Sequence, residues 1–136
     1  MGIRGQWRDG GGTLVVEPAA DGRAVEAGAG AGGAEVPLEV AASYAARTRG
    51  LLGRDGIEGA MLLTPAASVH TFRMRFAIDV AHLDRDLKVI ALTTMPPGRL
   101  GLPRLRSRHV LEAEAGAMAG WGLRVGSRLR LRLNSR

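Results

Sequence analysis

The stretch from His70 to Asp79 gathers a histidine, two arginines and a carboxylate, which are residue types that bind ligands or transfer protons. Its apolar members are Phe72, Met74 and Phe76, and the basic residues between them are Arg73 and Arg75. This alternation has the period of two that predicts a half-buried β-strand. The two arginines would then share a face, and guanidinium groups suit carboxylate or phosphate ligands.

A second group of arginines lies in residues 99–108, which we call the arginine loop. Gly101 and Pro103 interrupt this segment, so an irregular conformation is predicted. Loops held on a rigid scaffold often carry function. We therefore predict an anion-accepting surface, and a solvated basic surface is the alternative. Its candidate residues are His70, Arg73, Arg75, Asp79, Arg104 and Arg106.

Metal and nucleophile chemistry find little support in the sequence. The candidate metal ligands are His70, Asp79, His82 and His109, and no pair of them has the close spacing that identifies a site. Cysteine is absent, which excludes disulfides and thiolate ligands. No serine lies in a nucleophile-elbow context. Neither a metal site, nor a cofactor, nor a catalytic nucleophile is predicted.

Two interpretations of the carboxylates remain open. Asp79, His70 and Glu112 could perform acid–base chemistry if apolar neighbours raise the pKa of a carboxyl group. Alternatively, buried carboxylates in an arginine-rich chain form structural ion pairs, and Arg49, Arg54 and Arg73 are candidate partners of Asp79 or Glu112. The sequence does not decide whether the protein is an enzyme.

The net charge of +6 is unevenly distributed. Residues 1–68 carry six basic and eight acidic side chains, whereas residues 69–136 carry thirteen basic and five acidic ones. A basic half raises the possibility of non-specific nucleic-acid binding. However, Arg128, Arg130 and Arg132 alternate with leucines and have no aromatic residue on their face to stack on bases, so nucleic acid is not the favoured partner.

Short apolar runs separated by Gly, Pro and Asp predict the architecture. We expect a mostly β (α+β) domain with a barrel-like antiparallel or mixed sheet of six or seven short strands. One short helix is predicted near residues 43–52, with Ser43 as its N-cap. Residues 1–136 form a single domain in this interpretation, with a core at about 36–133 and a flexible Gly/Ala loop at 27–34.

The chain has no run of about 18 apolar residues, so no membrane helix or membrane association is expected. The sequence also lacks an apolar run near its start that would indicate a signal peptide. We therefore expect a soluble cytoplasmic protein.

An ordered set of short motifs resembles the DUF192 (UPF0127) family across roughly residues 36 to 131. The motifs are Arg49-Gly-Leu-Leu-Gly-Arg54, Gly59 with Met61-Leu-Leu63, Phe72-Arg-Met74 followed by Ile78-Asp79, Val110-Leu-Glu112 with Gly116, and Gly122-Leu-Arg-Val-Gly126. The resemblance implies a compact, mostly β domain with a barrel-like core and no established biochemical function.

Four positions depart from the usual pattern of that family. The family usually has Trp at the position of Arg73, Pro at Ala77, a turn Gly at Leu87 and Asp at Ser127. Together, the residues and the resemblance favour a small non-enzymatic domain that binds an anionic small molecule or an acidic protein surface. An acid–base enzyme and a weak nucleic-acid binder are the alternatives.

Overall fold

The structure is a computed structural model that describes residues 7–17 and 33–134. Seven strands and two short helices are present in this part of the chain, which confirms the mostly β fold class. In chain order they are β1 (Gly10–Val16), β2 (Ala34–Ala41), α1 (Tyr44–Arg49), β3 (Ala60–Leu63), β4 (Ile78–Leu83), β5 (Val89–Met95), β6 (His109–Glu114), α2 (Ala117–Gly120) and β7 (Leu129–Leu133). The predicted Gly/Ala loop lies almost entirely outside the described residues.

The strands form one mixed sheet in the order β5-β4-β6-β3-β2-β1-β7. Every pairing is antiparallel except that of β2 with β3, which is parallel and has α1 in its connection, as a crossover requires. The sheet is not closed into a barrel. Its two end strands nevertheless approach at one corner, where Lys88 forms an isolated bridge with Arg128 and the Val89 amide donates to the Ser127 carbonyl at 2.9 Å.

Two apolar clusters cover the two faces of this sheet. The first cluster draws on every strand and on α2, and it includes Leu14, Leu38, Leu62, Ala81, Val89, Leu111, Met118 and Leu129. The second is smaller and includes Leu51, Met61, Leu63, Met74, Ile78, Val80 and Val110. Strands β3 and β4 are buried at every position, and β6 is exposed only at Glu114. These three strands therefore run between two cores.

Helix α1 is shorter than the predicted helix but begins at the predicted cap. The Ser43 hydroxyl accepts a hydrogen bond from the Ala46 amide at 3.1 Å. Asp9 supports this start, because its carboxylate accepts hydrogen bonds from the amides of Ala42 and Ser43 at 2.7 and 2.8 Å. These contacts with Ser43 and Ala42 lower the pKa of Asp9. The helix ends at Gly50, whose φ of 45° lies in the left-handed region.

The predicted strand across residues 70–77 is wrong, since regular strand structure begins only at Ile78. The chain turns before it: Arg73 has a φ of 65°, and the Met74 amide donates to the Thr71 carbonyl at 3.1 Å. Thr71 is also bonded to the arginine loop, because its amide donates to the Arg99 carbonyl at 2.7 Å. Met74 is buried, whereas Phe72 is 45% exposed, so the expected apolar stripe is only partly core.

The predicted hairpin between β4 and β5 is present, and its turn contains one of the four departures from the family pattern. Leu87 adopts a φ of 63°, a conformation that favours glycine. The turn is stabilised by Asp84, whose carboxylate accepts hydrogen bonds from the amides of Asp86 and Lys88 at 2.9 and 3.0 Å. A leucine therefore occupies a left-handed position that glycine would adopt without strain.

Candidate functional site

The carboxyl group of Glu112 is the most unusual polar group in the described part of the chain. Glu112 lies in β6 opposite Met61 of β3 and Val80 of β4, so its side chain points into the second apolar cluster. Only 4% of the residue is exposed, and its carboxylate makes no hydrogen bond or ion pair with any described residue. Burial raises its pKa to about 7.

This carboxyl group borders a cleft of about 100 Å³, which we call the Glu112 cleft. The end of α1 and the turn after it contribute part of the lining, and residues 68–70 with Met74 contribute another part. The complete lining comprises Arg47, Thr48, Arg49, Gly50, Leu51, Leu52, Leu63, Ser68, Val69, His70, Met74 and Glu112. The lining is mixed, with polar or charged side chains at about half of its positions and apolar side chains at most of the others, so the cleft offers both polar groups and apolar surface to a small molecule.

The basic groups of the cleft differ in their availability. Arg47 is engaged with backbone, because its guanidinium donates to the carbonyls of Ala42 and Pro65 at 3.2 and 3.3 Å. Arg49 is exposed and has no hydrogen bond or ion pair among the described residues apart from an electrostatic attraction to Asp9. Arg49 is therefore the cation of the cleft that a ligand can use.

His70 is held at the cleft by its neighbour in the chain. Its Nδ1 accepts a hydrogen bond from the Phe72 amide at 3.3 Å, and the two rings stack with centroids 5.0 Å apart. An Nδ1 that accepts leaves the proton of the neutral ring on Nε2. His70 can thus offer a donor while its ring packs on Phe72.

Asp79 lies on the opposite face of the sheet and does not line the cleft. Its carboxylate accepts hydrogen bonds from the Thr94 hydroxyl at 2.7 Å and from the amides of Gly116 and Met118 at 3.0 and 3.1 Å. These bonds tie β4 to β5 and to the start of α2. Asp79 therefore has a structural role and no arginine partner among the described residues.

The other predicted anion-binding residues are dispersed over the surface, and none of them lines the Glu112 cleft. Arg75 pairs with Asp55 at 3.1 Å, and both side chains are exposed. Arg73 is exposed in its left-handed turn, and Arg104 and Arg106 are exposed on the arginine loop. Of the candidate ligand residues, only His70 reaches the cleft.

The ion pairs considered from the sequence take different partners. Arg54 forms a bidentate pair with Glu39, with distances of 2.7 and 2.8 Å, rather than pairing with Asp79 or Glu112. Each partner favours the charged form of the other, so the pKa of Glu39 is lowered and that of Arg54 is raised. Glu112 has no such cation, although Arg49 lines the same cleft.

A family model identifies the family to which the chain belongs. The model DUF192, described as an uncharacterized ACR, matches residues 25–131. The chain belongs to this family. A UPF0127 protein of Pyrococcus horikoshii is 31% identical over 87 residues, which covers 60% of this chain and 76% of the relative. A UPF0127 protein of Pyrococcus furiosus is 32% identical over 104 residues, or 71% of this chain and 90% of the relative.

Solved structures similar to this DUF192 chain support the fold alone. A protein of unknown function from Novosphingobium aromaticivorans superposes with a TM-score of 0.67 at 19% identity, covering 87% of this chain and 83% of that one. A Sinorhizobium meliloti protein, described provisionally as a transcription regulator, superposes with a TM-score of 0.72 at 18% identity, covering 93% and 97%.

The basic face of β7 in this DUF192 chain is partly neutralised. Arg130 pairs with Glu17 at 3.1 Å, and Arg132 pairs with Glu35 at 2.7 Å. These pairs reduce the charge available to a nucleic-acid backbone. Across residues 7–17 and 33–134, no helix combines the length and apolar character needed to cross a bilayer.

The histidines of this DUF192 chain are separately engaged. His109 Nδ1 lies 2.7 Å from the Thr64 hydroxyl, and His82 Nδ1 lies 3.1 Å from the Ser107 hydroxyl. Burial, assisted by the nearby Arg108 guanidinium, lowers the pKa of His109 to about 4. No group of three or more His, Asp or Glu side chains in the described residues is arranged to hold a metal ion.

Several cleft residues were not identified from the sequence, including Arg47, Ser68 and Val69. They come from segments far apart in the chain, and no local pattern links them. Glu112 carried a usable signal, because Val110 and Leu111 are adjacent apolar residues in a strand. Adjacent apolar residues indicate a strand buried on both faces, in which a glutamate is a buried carboxylate.

Proposed function

We propose that this DUF192 domain binds a small organic acid in the Glu112 cleft. The observation that carries the proposal is the buried Glu112 carboxyl group, which borders a recess and has no partner among the described residues. No side-chain oxygen or nitrogen of the described residues is both fully buried and without a hydrogen bond, so the Glu112 carboxyl oxygens are reachable from the cleft, although the surrounding apolar residues make their solvation poor. A ligand that hydrogen-bonds to Glu112 would remove the cost of this poor solvation.

The electrostatics of the cleft favour an anionic ligand over a cationic one. Burial favours the neutral form of Glu112, so near neutral pH its carboxyl group can donate an O–H to a ligand carboxylate. Arg49 supplies a positive charge at the same cleft. Leu51, Leu63 and Met74 provide apolar surface for a short aliphatic tail. The volume of about 100 Å³ limits that tail to a few carbon atoms.

A ligand series tests this assignment. Butyrate, butyramide and butylamine have similar length and differ in charge, and backbone amide chemical shifts of Gly50, Leu52 and Val69 report occupancy of the cleft. Butyrate is expected to bind more tightly at about pH 6 than at about pH 8, by up to about tenfold, because binding retains a proton on Glu112. Tighter binding of butylamine, or unchanged shifts with butyrate at millimolar concentration, would reject the proposal.

Matched variants separate the contributions of the two charged groups. Glu112→Gln keeps a hydrogen-bond donor, so it should still bind butyrate but with no difference between the two pH values. Glu114→Gln is the control, because Glu114 is exposed on the same strand. Arg49→Gln should weaken butyrate binding about tenfold at both pH values, whereas Arg128→Gln, on the exposed edge beside β7, should not.

Acid–base catalysis is a second candidate, favoured by one observation: the pKa of Glu112 lies near neutrality in a cleft that also contains His70. A carboxyl group of this kind can accept or donate a proton at physiological pH. Exchange of the pyruvate methyl hydrogens for deuterium in heavy water provides a test, since it requires only a base. Exchange above the buffer rate that is lost in Glu112→Gln would favour this candidate.

The proposal places the protein in the cytoplasm as a soluble binding domain. The anion surface predicted from the sequence remains a separate proposal, with Arg73, Arg104 and Arg106 as its exposed cations and Arg75 exposed but paired with Asp55. Cell fractionation with detection of the untagged chain tests the location.

A further inference from the structure

The arginine loop exposes three leucines among its arginines. Leu100, Leu102 and Leu105 are 70%, 76% and 100% exposed. Arg99, Arg104, Arg106 and Arg108 are exposed in the same ten residues. Between Asp86 and Glu112 the sequence contains no acidic residue, and none of these four guanidinium groups forms an ion pair with a described residue.

The loop is part of the fold and is bonded along much of its length. The Gly101 amide donates to the Val69 carbonyl at 2.8 Å, and the Arg104 amide donates to the Ala67 carbonyl at 3.0 Å. At Gly101 a Cβ atom would lie 2.9 Å from the Val69 carbonyl oxygen, so the close approach depends on glycine. The Leu100 and Leu102 side chains, two residues apart on this bonded segment, remain outside the core.

We infer that the arginine loop docks on an anionic membrane surface. Exposed leucines interspersed with exposed arginines suit insertion among lipid headgroups, where the leucines bury apolar surface and the adjacent arginines contact phosphate groups. A protein partner would instead be matched by a contiguous apolar patch with some charges of both signs. This inference goes beyond ligand binding in the Glu112 cleft, and beyond the sequence-based expectation of no membrane association, which considered only spanning segments.

Co-sedimentation of the full chain with vesicles tests the docking surface. Vesicles of phosphatidylcholine containing about one-third phosphatidylglycerol should bind the protein, and vesicles of phosphatidylcholine alone should bind it at least about tenfold more weakly. Raising the salt from about 50 mM to about 300 mM should weaken binding to the anionic vesicles.

Two double variants separate the contributions of the leucines and of the arginines to vesicle binding. Leu102→Ser with Leu105→Ser, and Arg104→Gln with Arg106→Gln, should each reduce binding by about tenfold or more. All four side chains are exposed, so the variants should keep the wild-type melting temperature. The charge-matched control is Arg85→Gln with Arg128→Gln, two exposed arginines outside the loop, and the apolar control is Val125→Ser, which is 59% exposed in the wild type.

Three outcomes would overturn the inference. Equal binding to neutral and anionic vesicles would remove the role of charge. An equal loss of vesicle binding in the control variants would indicate non-specific attraction between the vesicles and the basic chain. Absence of vesicle binding by the folded wild-type protein would exclude the membrane as the partner of the loop.

Discussion

Asp79 and Glu112 lie one register step apart on neighbouring strands, and that step places their carboxylates on opposite faces of the sheet. In the ladder between β4 and β6, Asp79 is opposite Ala113, whereas Glu112 is opposite Val80. Both residues are 4% exposed. Asp79 accepts three hydrogen bonds, and Glu112 accepts none from the described residues. One carboxylate therefore holds the fold together, and the other is available to a ligand.

Glu112→Gln should stabilise the free protein at high pH. The folded-state pKa of Glu112 is raised from 4.5 to about 7, so its contribution to stability is complete below pH 4.5 and is lost as the pH rises through about 7. The resulting penalty above pH 7 is at most about 3 kcal/mol, and the cost of burying the amide reduces the expected gain to about 1–2 kcal/mol. Urea unfolding of both proteins at about pH 8 measures this gain in the free energy of unfolding. Glu114→Gln should change little, and destabilisation by Glu112→Gln would show that Glu112 has a partner.

His109→Gln should protect the protein against moderate acid. Burial lowers the folded-state pKa of His109 from 6.5 to about 4, so its contribution is present above pH 6.5 and is lost as the pH falls towards 4. This loss amounts to roughly 1–3 kcal/mol. Between about pH 4.5 and 6.5 the stability of His109→Gln should decrease as the pH rises, because only the Glu112 contribution remains, whereas that of the wild type should change little.

These two groups act in opposite directions between about pH 4.5 and 6.5. The wild type should therefore show a flatter stability profile there than either variant. Glu112→Gln should become more stable with rising pH, because only the histidine contribution remains. A steep wild-type profile with unchanged slopes in both variants would contradict the assignment of these groups.

Asp79→Ala should destabilise the fold by about 3–4 kcal/mol, because it removes the acceptor for the Gly116 and Met118 amides and for the Thr94 hydroxyl. Asp79→Asn retains one carbonyl oxygen and should cost only about 1–2 kcal/mol. Chemical denaturation at neutral pH distinguishes the two. Equal effects of the two substitutions would mean that charge, not hydrogen-bond geometry, is what the site requires.

Gly59→Ala should be much more damaging than Gly53→Ala. Both glycines have left-handed φ values, 77° and 81°, so both substitutions incur about 1 kcal/mol of backbone strain. Only at Gly59 would the added Cβ meet the backbone, at 2.2 Å from the Pro37 carbonyl oxygen, and nothing lies within 4 Å at Gly53. Thermal unfolding of both variants is the measurement. Similar melting temperatures would show that β2 shifts freely away from residue 59.

Much of the sheet could be predicted because its strands carry local signals. The Leu-Arg alternation of β7 and the acidic turn of the β4–β5 hairpin correspond directly to the structure. The order of the strands could not be predicted, since the β2–β3 pair is parallel and the pairing of β6 with β3 and β4 joins distant segments. Pairing partners are set by long-range packing rather than by local sequence.

The residues of the candidate site could be predicted less well than the strands. Alternation between residues 72 and 76 predicts a strand, but the chain makes a left-handed turn at Arg73, beside the hydrogen bonds between Thr71 and the arginine loop. The same long-range packing brings the end of α1 and residues 68–70 to Glu112. The sequence of β6 predicts a buried carboxylate. It does not predict that this carboxylate has no partner, because the presence of a partner depends on side chains from three other segments.

Residues 67–71 belong to both proposed sites, since Val69 and His70 line the Glu112 cleft and the same segment bonds the arginine loop. Any ligand that shifts this shared segment changes the position from which Leu100 and Leu102 project. Linkage then requires reciprocity: the factor by which a bound acid alters attachment of the loop equals the factor by which attachment alters affinity for the acid. A domain of this size could in that way report a metabolite at a surface without any hinge between domains.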